Sequence, residues 1–257
     1  GRPFQIGASH PSPQVMRARV REAREWNPGA IQVILPDYYA VTAAEAVTFL
    51  EELQRVAAPV GLVLYNPGNA KRVLAPTELA PLAPYLVGFK VVDKDRSWYS
   101  AMHACCSNLS IAVTGHHFAS GFAFGANASY SNVAALSPRG AVQWYNNLIR
   151  EGARNATKLY ASLDLERRIG DFFNDVVVPY AAKGYSDMAL DKLLAEIGGW
   201  ADVGTKLRWP YRSIPLEEAR SFRGVARERL PELFELPQGV ADEVAARRGS
   251  ATGEVFA

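Results

Sequence analysis

The sequence predicts an α/β fold built on a parallel sheet, followed by a region of helices alone. Three observations carry this reading. Six short apolar segments alternate with helix-like segments over the first part of the chain, the pattern of repeated βαβ units. The apolar segments, Val60 to Leu64 among them, are nearly continuous, as in strands covered on both faces. Polar and aromatic residues gather just after these segments, at the strand ends where α/β folds bind ligands.

Phe4 to Gly7 reads as a short strand, and Pro13 to Trp26 as a helix stopped by Asn27-Pro28-Gly29. Ala30 to Leu35 is a strand running into Pro36-Asp37-Tyr38-Tyr39. Thr42 caps a helix over Ala43 to Ala57, with Glu45 at the third position of a capping box. Val60 to Leu64 is a strand ending at Tyr65-Asn66-Pro67-Gly68. A short helix near Thr77 to Ala83 leads to the apolar run Leu86 to Val92, and Trp98 to Cys106 is helical. Ser110 to Thr114 is a strand ending at Gly115-His116-His117, a helix spans Phe118 to Gly125, and a last strand lies near Ala128 to Val133. Beyond Ser137 only helices are expected: Pro138 to Glu151, Ala153 to Val178, Ser186 to Ile197 and Leu216 to Leu230, punctuated by Pro179, Gly184, Gly198-Gly199 and Pro215. The domain boundaries expected are 1–152 for the βα part, 153–236 for the helical region and 237–257 for a flexible tail.

The chain has 257 residues, 49% hydrophobic and 21% charged, a globular composition long enough for one α/β barrel. A net charge of +2 with mixed signs provides no field for nucleic acid or a membrane surface. No apolar run approaches the roughly 18 residues of a membrane span. The only cysteines, Cys105 and Cys106, are adjacent, which suits neither a disulfide framework nor a metal site. A reducing, cytoplasmic setting is expected.

Lys90 is the most informative residue. It sits inside Leu86-Val87-Gly88-Phe89-Lys90-Val91-Val92, where burial would disfavour its charged form. A neutral amine is what Schiff-base chemistry on a carbonyl requires. The alternative is that the strand ends at Phe89 and Lys90 lies in a solvated turn with Asp93, Lys94, Asp95 and Arg96.

Five segments in order, LYNPG, VGFKVVD, VTGHH, GANASYSNVAAL and DKLLAEIGGWADVGTKLRWPYRSI, resemble the dihydrodipicolinate synthase and N-acetylneuraminate lyase family of class I aldolases. The resemblance covers roughly residues 3–235. It implies a (β/α)8 TIM barrel with a C-terminal helical bundle. It also implies that the sequence begins at the family's third strand, the first two βα units and their carboxylate-binding Gly-Thr-Thr loop being missing from it. An incomplete sequence is the expected explanation.

The resemblance assigns the roles. Lys90 would attack the keto carbon of pyruvate or a related 2-oxo acid, giving an imine that serves as electron sink. Tyr65 would shuttle protons, its alternative being an aromatic cap on the barrel rim, and Asn66-Pro67 would shape the turn that aims it. One of Tyr38 and Tyr39, with Tyr39 preferred, would reach toward a neighbouring subunit; packing at an interface is the other reading. Gly115 would let backbone approach the ligand closely. Tyr130 and Ser131 lie where the family places a backbone carbonyl, so the Tyr130 side chain carries no expected role. His116 and His117 replace acidic residues of many members. They are contacts to the second substrate, an acid/base pair or polar rim residues, and adjacent histidines diverge too far to share a metal. The segment after Tyr65 lacks the arginine with which dihydrodipicolinate synthases grip an aldehyde carboxylate; Lys71 and Arg72 are the possible substitutes. An aldolase or dehydratase is therefore expected rather than a lysine-biosynthesis enzyme. No metal and no cofactor beyond the covalent imine are implied. The expected partners are a 2-oxo acid, an aldehyde and further copies of the chain as dimer or tetramer, with no nucleic acid and no membrane.

Two rivals remain open at this point. A metal-dependent sugar isomerase would need His10, Asp37, Asp93 and His116 to converge. A non-catalytic or divergent barrel protein would bind a small carboxylate without turnover.

Overall fold

The computed structural model describes residues 3–152 and 154–235. The expected tail, 237–257, lies outside them. Two compact units emerge, one up to Tyr130 and one from Ser131.

The first unit holds one six-stranded parallel sheet in strict chain order: β1 (Gln5–Gly7), β2 (Ala30–Ile34), β3 (Leu62–Tyr65), β4 (Gly88–Lys90), β5 (Ser110–Thr114) and β6 (Ala128–Tyr130). Each strand is joined to the next through helical structure, α1 (Pro13–Glu25), α2 (Ala43–Ala57), α3 (Pro76–Leu79) with a following 3₁₀ turn Ala80–Tyr85, α4 (Arg96–Cys105) and α5 (Phe118–Phe124). A parallel pair cannot be joined by a tight hairpin, so each crossover must carry such a segment.

The two faces of the sheet differ. Ile31, Val33, Leu62, Leu64, Phe89, Ile111 and Val113 form one fully buried layer. Both α1 and α2 bring apolar stripes at helical spacing, Met16, Val20 and Ala23 on one and Ala46, Leu50, Leu53 and Ala57 on the other. Each such leucine contributes about 1.5–3 kcal/mol through removal from water. The alternate residues, Gln32, Ile34, Val63, Tyr65, Lys90, Ala112, Thr114 and Tyr130, are only half-buried. This corrects the expectation of a sheet covered on both faces. Among the described residues one face is dry and the other is accessible, and the polar side chains sit on the accessible one.

Local chemistry explains the boundaries. The Thr42 hydroxyl accepts from the Glu45 backbone N–H, and the Glu45 carboxylate accepts from the Thr42 N–H at 2.6 Å, so the capping box on α2 is complete. The Thr42 N–H and hydroxyl, both donating to the Glu45 carboxylate, hold it below its ordinary range. Thr42→Ala should destabilise the fold by about 1 kcal/mol in urea unfolding; an unchanged midpoint would show that the cap is dispensable. Helix α5 ends at Gly125 with φ of 114°, a conformation that disfavours side chains, and a Cβ there would lie 1.9 Å from His103 Nε2. Cys105 and Cys106 close α4 with sulfurs 3.5 Å apart, and burial pushes the Cys106 thiol up to about 12.

Regular structure in the second unit is helical among the described residues: α6 (Asn132–Leu136), α7 (Pro138–Asn147) with a following π-helical turn Leu148–Gly152, α8 (Ala156–Val176), α9 (Val178–Ala182), α10 (Asp187–Gly198), α11 (Leu216–Ser221), α12 (Arg223–Arg229) and α13 (Pro231–Phe234). Two expectations need correction. The last strand stops at Tyr130 instead of Val133, because Ser131 caps α6 by accepting from the Ala134 N–H. The single helix expected from Leu216 to Leu230 is broken between Ser221 and Arg223 at Phe222, whose ring packs at right angles on Tyr180. Glu196 on α10 is fully buried and organises this region: it accepts from the Gly204 N–H at 2.7 Å and pairs with Arg223 at 3.1 Å and Arg220 at 3.3 Å. A buried carboxylate needs that many partners to offset its lost hydration. In the stretch 207–212, Trp209 is 92% exposed and Tyr211 50%.

Candidate active site

The site is built from one row across the sheet. Register places Ile34, Tyr65, Lys90, Ala112 and Ala128 side by side on consecutive strands. Side chains in one row share a face, here the accessible one. Lys90 is the last residue of β4, not part of a solvated turn, and it is half-buried.

The Lys90 Nζ lies over two phenol rings, 4.2 Å from the Tyr65 centroid and 3.7 Å from that of Tyr130. The two rings are 6.1 Å apart at 63°. No ion pair to Lys90 occurs among the described residues. Burial is the cause that holds its amine below the ordinary lysine value, so more of it is neutral than for an exposed lysine. Tyr65 reaches Lys90 as its register neighbour on β3. Tyr130 reaches it diagonally from β6, across β5: its own register neighbour is Thr114, and the small Ala112 and Ala128 occupy the Lys90 row. The Tyr130 hydroxyl donates to the Val91 carbonyl at 2.6 Å, which ties β6 to the end of β4. Burial, reinforced by the neighbouring Tyr65, pushes the Tyr130 phenol far above its ordinary range. It therefore stays protonated near neutral pH and is poorly suited to act as a base.

Asn66 positions the loop after β3. It is buried, its amide donates to the Arg72 carbonyl at 2.7 Å, and its Oδ1 accepts from the Leu74 N–H at 2.7 Å. Its backbone N–H donates to the Lys90 carbonyl at 3.3 Å. One side chain thus folds residues 66–74 back on themselves and fixes the residue following Tyr65. Asn66→Leu leaves the Arg72 carbonyl and Leu74 N–H without that partner. It should cost about 2–4 kcal/mol, read by urea unfolding; a loss below about 0.5 kcal/mol would contradict this role.

The remaining expected residues spread outward. Tyr38 and Tyr39 are 70% and 77% exposed and meet edge to face at 4.8 Å. The Lys71 ammonium donates to the Tyr38 carbonyl at 2.6 Å, its backbone N–H donates to Asp37 at 2.9 Å, and Arg72 pairs with Glu78 at 2.5 Å. Lys71 is therefore tied to the loop after β2, and Arg72 to Glu78 on α3. A small pocket of about 80 Å³ lies beside it, lined by Ile34, Asp37, Tyr65 and Asn66 among others. Gly115 is buried and opens a 3₁₀ turn that carries His116 and His117, whose rings are 4.2 Å apart. His117 Nδ1 lies 3.9 Å from Asp93. Ser131 belongs to the second unit as the cap of α6. Among the described residues no three His, Cys, Asp or Glu side chains are grouped to hold a metal ion, so His10, Asp37, Asp93 and His116 do not form a metal site. Nor is any helix among them long and apolar enough to cross a membrane.

The residue that sequence reasoning missed is the Tyr130 side chain. The available signal was alternation: in Ala128-Ser129-Tyr130, the first and last residues share a face.

Similarity to solved structures is extensive at low identity. The prophage protein YagE of E. coli, of the dihydrodipicolinic acid synthase family and solved in complex with pyruvate, superposes with a TM-score of 0.73 at 16% identity, over 88% of this chain and 75% of that one. The N-acetylneuraminate lyase of Mycoplasma synoviae gives 0.69 at 16% identity, over 88% and 73%. The chain has the fold of these proteins. The sialic acid aldolase of Ruminococcus gnavus extends the likeness, with a TM-score of 0.65 at 13% identity over 90% and 73%. No family model and no curated protein matches the sequence.

Proposed function

We propose that this chain is a lyase of the dihydrodipicolinate synthase and N-acetylneuraminate lyase family, acting through an imine between Lys90 and pyruvate or a related 2-oxo acid. The observation that carries this is the half-buried Lys90 amine, at the carboxyl end of a central parallel strand and enclosed by two phenol rings. Similarity of fold to a pyruvate-bound relative supports the same reading. The eight-stranded barrel belongs to this proposal too, with six of its strands among the described residues.

In this reading the neutral amine adds to the keto carbon, Tyr65 relays a proton to the departing oxygen, and water leaves as the imine forms. The imine draws electrons from the adjacent bond, allowing a carbon–carbon bond to form or break or a hydroxyl to depart. The 2-oxo acid and an aldehyde are the ligands, and no cofactor is required. Asn66 and Gly115 shape the backbone around the substrate; Tyr39, Tyr38 and His116 complete the binding residues. With Lys71 held on a carbonyl and Arg72 paired to Glu78, aldol cleavage, aldol condensation or dehydration fits better than lysine biosynthesis. The enzyme works in the cytoplasm as a homo-oligomer, a dimer or tetramer, without nucleic acid or membrane partners.

Turnover tests the proposal. Pyruvate should be consumed with one member of an aldehyde panel, or released from a hydroxylated 2-oxo acid. Borohydride should inactivate only when the 2-oxo acid is present, and chelators should have no effect. Activity lost to chelators and indifferent to borohydride would replace this reading with the metal-dependent one.

A further inference from the structure

We infer that Tyr130 is a positioning residue for Lys90: its ring is a fixed aromatic seat for the cationic nitrogen, reached across Ala112 and pinned by the Val91 carbonyl. Three independent features support this. The Tyr130 ring approaches Nζ more closely than the Tyr65 ring does, at 3.7 Å against 4.2 Å. Alanine at 112 and at 128 keeps the row on that side of Lys90 free of bulk, so a residue two strands away can reach the amine. The hydroxyl donates to the Val91 carbonyl at 2.6 Å, which fixes the ring plane relative to β4 itself, and it also lies in hydrogen-bond contact with the Tyr65 phenol.

The seat resolves a conflict in the site. Burial favours the neutral amine needed for attack, yet the imine that follows is most useful when protonated and positively charged at the same nitrogen. A ring face stabilises a cation without supplying a counter-charge that would hold the free amine protonated as strongly as a carboxylate does. The titratable groups facing Nζ are Tyr65 from β3 and Tyr130 from β6, and the nearby Asp93 lies beside His117. The functional part of this inference rests on the imine reading above, whereas the seat itself concerns only the amine.

The test uses Tyr130→Leu and Tyr130→Phe in the full chain, with circular dichroism confirming the fold. The pH dependence of acylation at Lys90 by an activated ester, read by peptide mass, gives the titration midpoint without any 2-oxo acid. Leucine keeps the amine buried but removes the ring, so the midpoint should fall by about one pH unit, while Phe should stay close to wild type. Where pyruvate forms an imine, the borohydride-trapped fraction should fall roughly tenfold in Tyr130→Leu. A midpoint that rises or stays put in Tyr130→Leu would mean that Tyr130 only packs, and would overturn the inference. Should Tyr130→Leu not fold, phenylalanine and its ring-fluorinated analogues at 130 ask the same question at nearly constant size. The midpoint must fall as fluorine withdraws charge from the ring face, and indifference to fluorine overturns the seat. A shifted midpoint in a protein that traps no 2-oxo acid would remove the imine reading and leave the seat; trapping without any shift would do the reverse.

Discussion

Replacing Lys90 by methionine is expected to abolish imine formation and to lower turnover by at least about 10⁴-fold, the scale on which deleting a covalent nucleophile acts. Methionine keeps the unbranched apolar stem of lysine and is one atom shorter, so the pocket stays nearly filled. The same variant should be more stable than wild type at neutral pH. Burial holds the Lys90 amine below its ordinary 10.5 in the folded chain, whereas the unfolded chain titrates near that value. Between the folded value and 10.5 the unfolded state binds the extra proton, so wild-type stability rises with pH through this window. Below the window the charged, desolvated amine carries its full penalty; above 10.5 the penalty is gone. The stability advantage of Lys90→Met should therefore be largest near pH 7 and shrink toward pH 10.5, measured by urea unfolding at the two values. A variant that is inactive and also less stable at neutral pH would show Lys90 to be a structural residue.

Tyr65→Phe is expected to slow turnover by about 10² to 10³-fold while leaving imine formation possible. The ring that faces Lys90 at 4.2 Å remains, and only the hydroxyl proposed to move protons is lost. Tyr130 cannot replace it, since that phenol donates to the Val91 carbonyl and burial raises its pKa far beyond neutrality. Trapping with pyruvate should reach the wild-type extent in Tyr65→Phe, only more slowly, with kcat falling much more than KM changes. A loss of less than about threefold would return Tyr65 to the role of an aromatic rim cap and send the proton-transfer question to His116 and His117.

The sequence made the strands, their order and the helix starts readable because each is fixed by local chemistry. Thr42 and Glu45 are three residues apart and cap α2 as their spacing requires. Lys90 stood out because a charge inside an apolar run is costly wherever the chain places it. Departures came where a distant contact or competing cap decided the outcome. Ser131 takes the chain from strand into helix by capping α6. Phe222 divides what periodicity alone reads as one helix. The half-exposed face of the sheet could not be read from the apolar runs, because Ala, Val and Ile serve on both faces. Nor could Tyr130, whose place beside Lys90 depends on register across two strands and on the size of Ala112 between them.

Borohydride trapping with pyruvate, followed by peptide mapping, tests the central claim most directly. The account predicts one pyruvate-derived mass addition, confined to the peptide carrying Lys90 and absent from Lys90→Met. Folded protein that gains no adduct with pyruvate or any of a panel of 2-oxo acids, or that carries its adduct on another lysine, would contradict it.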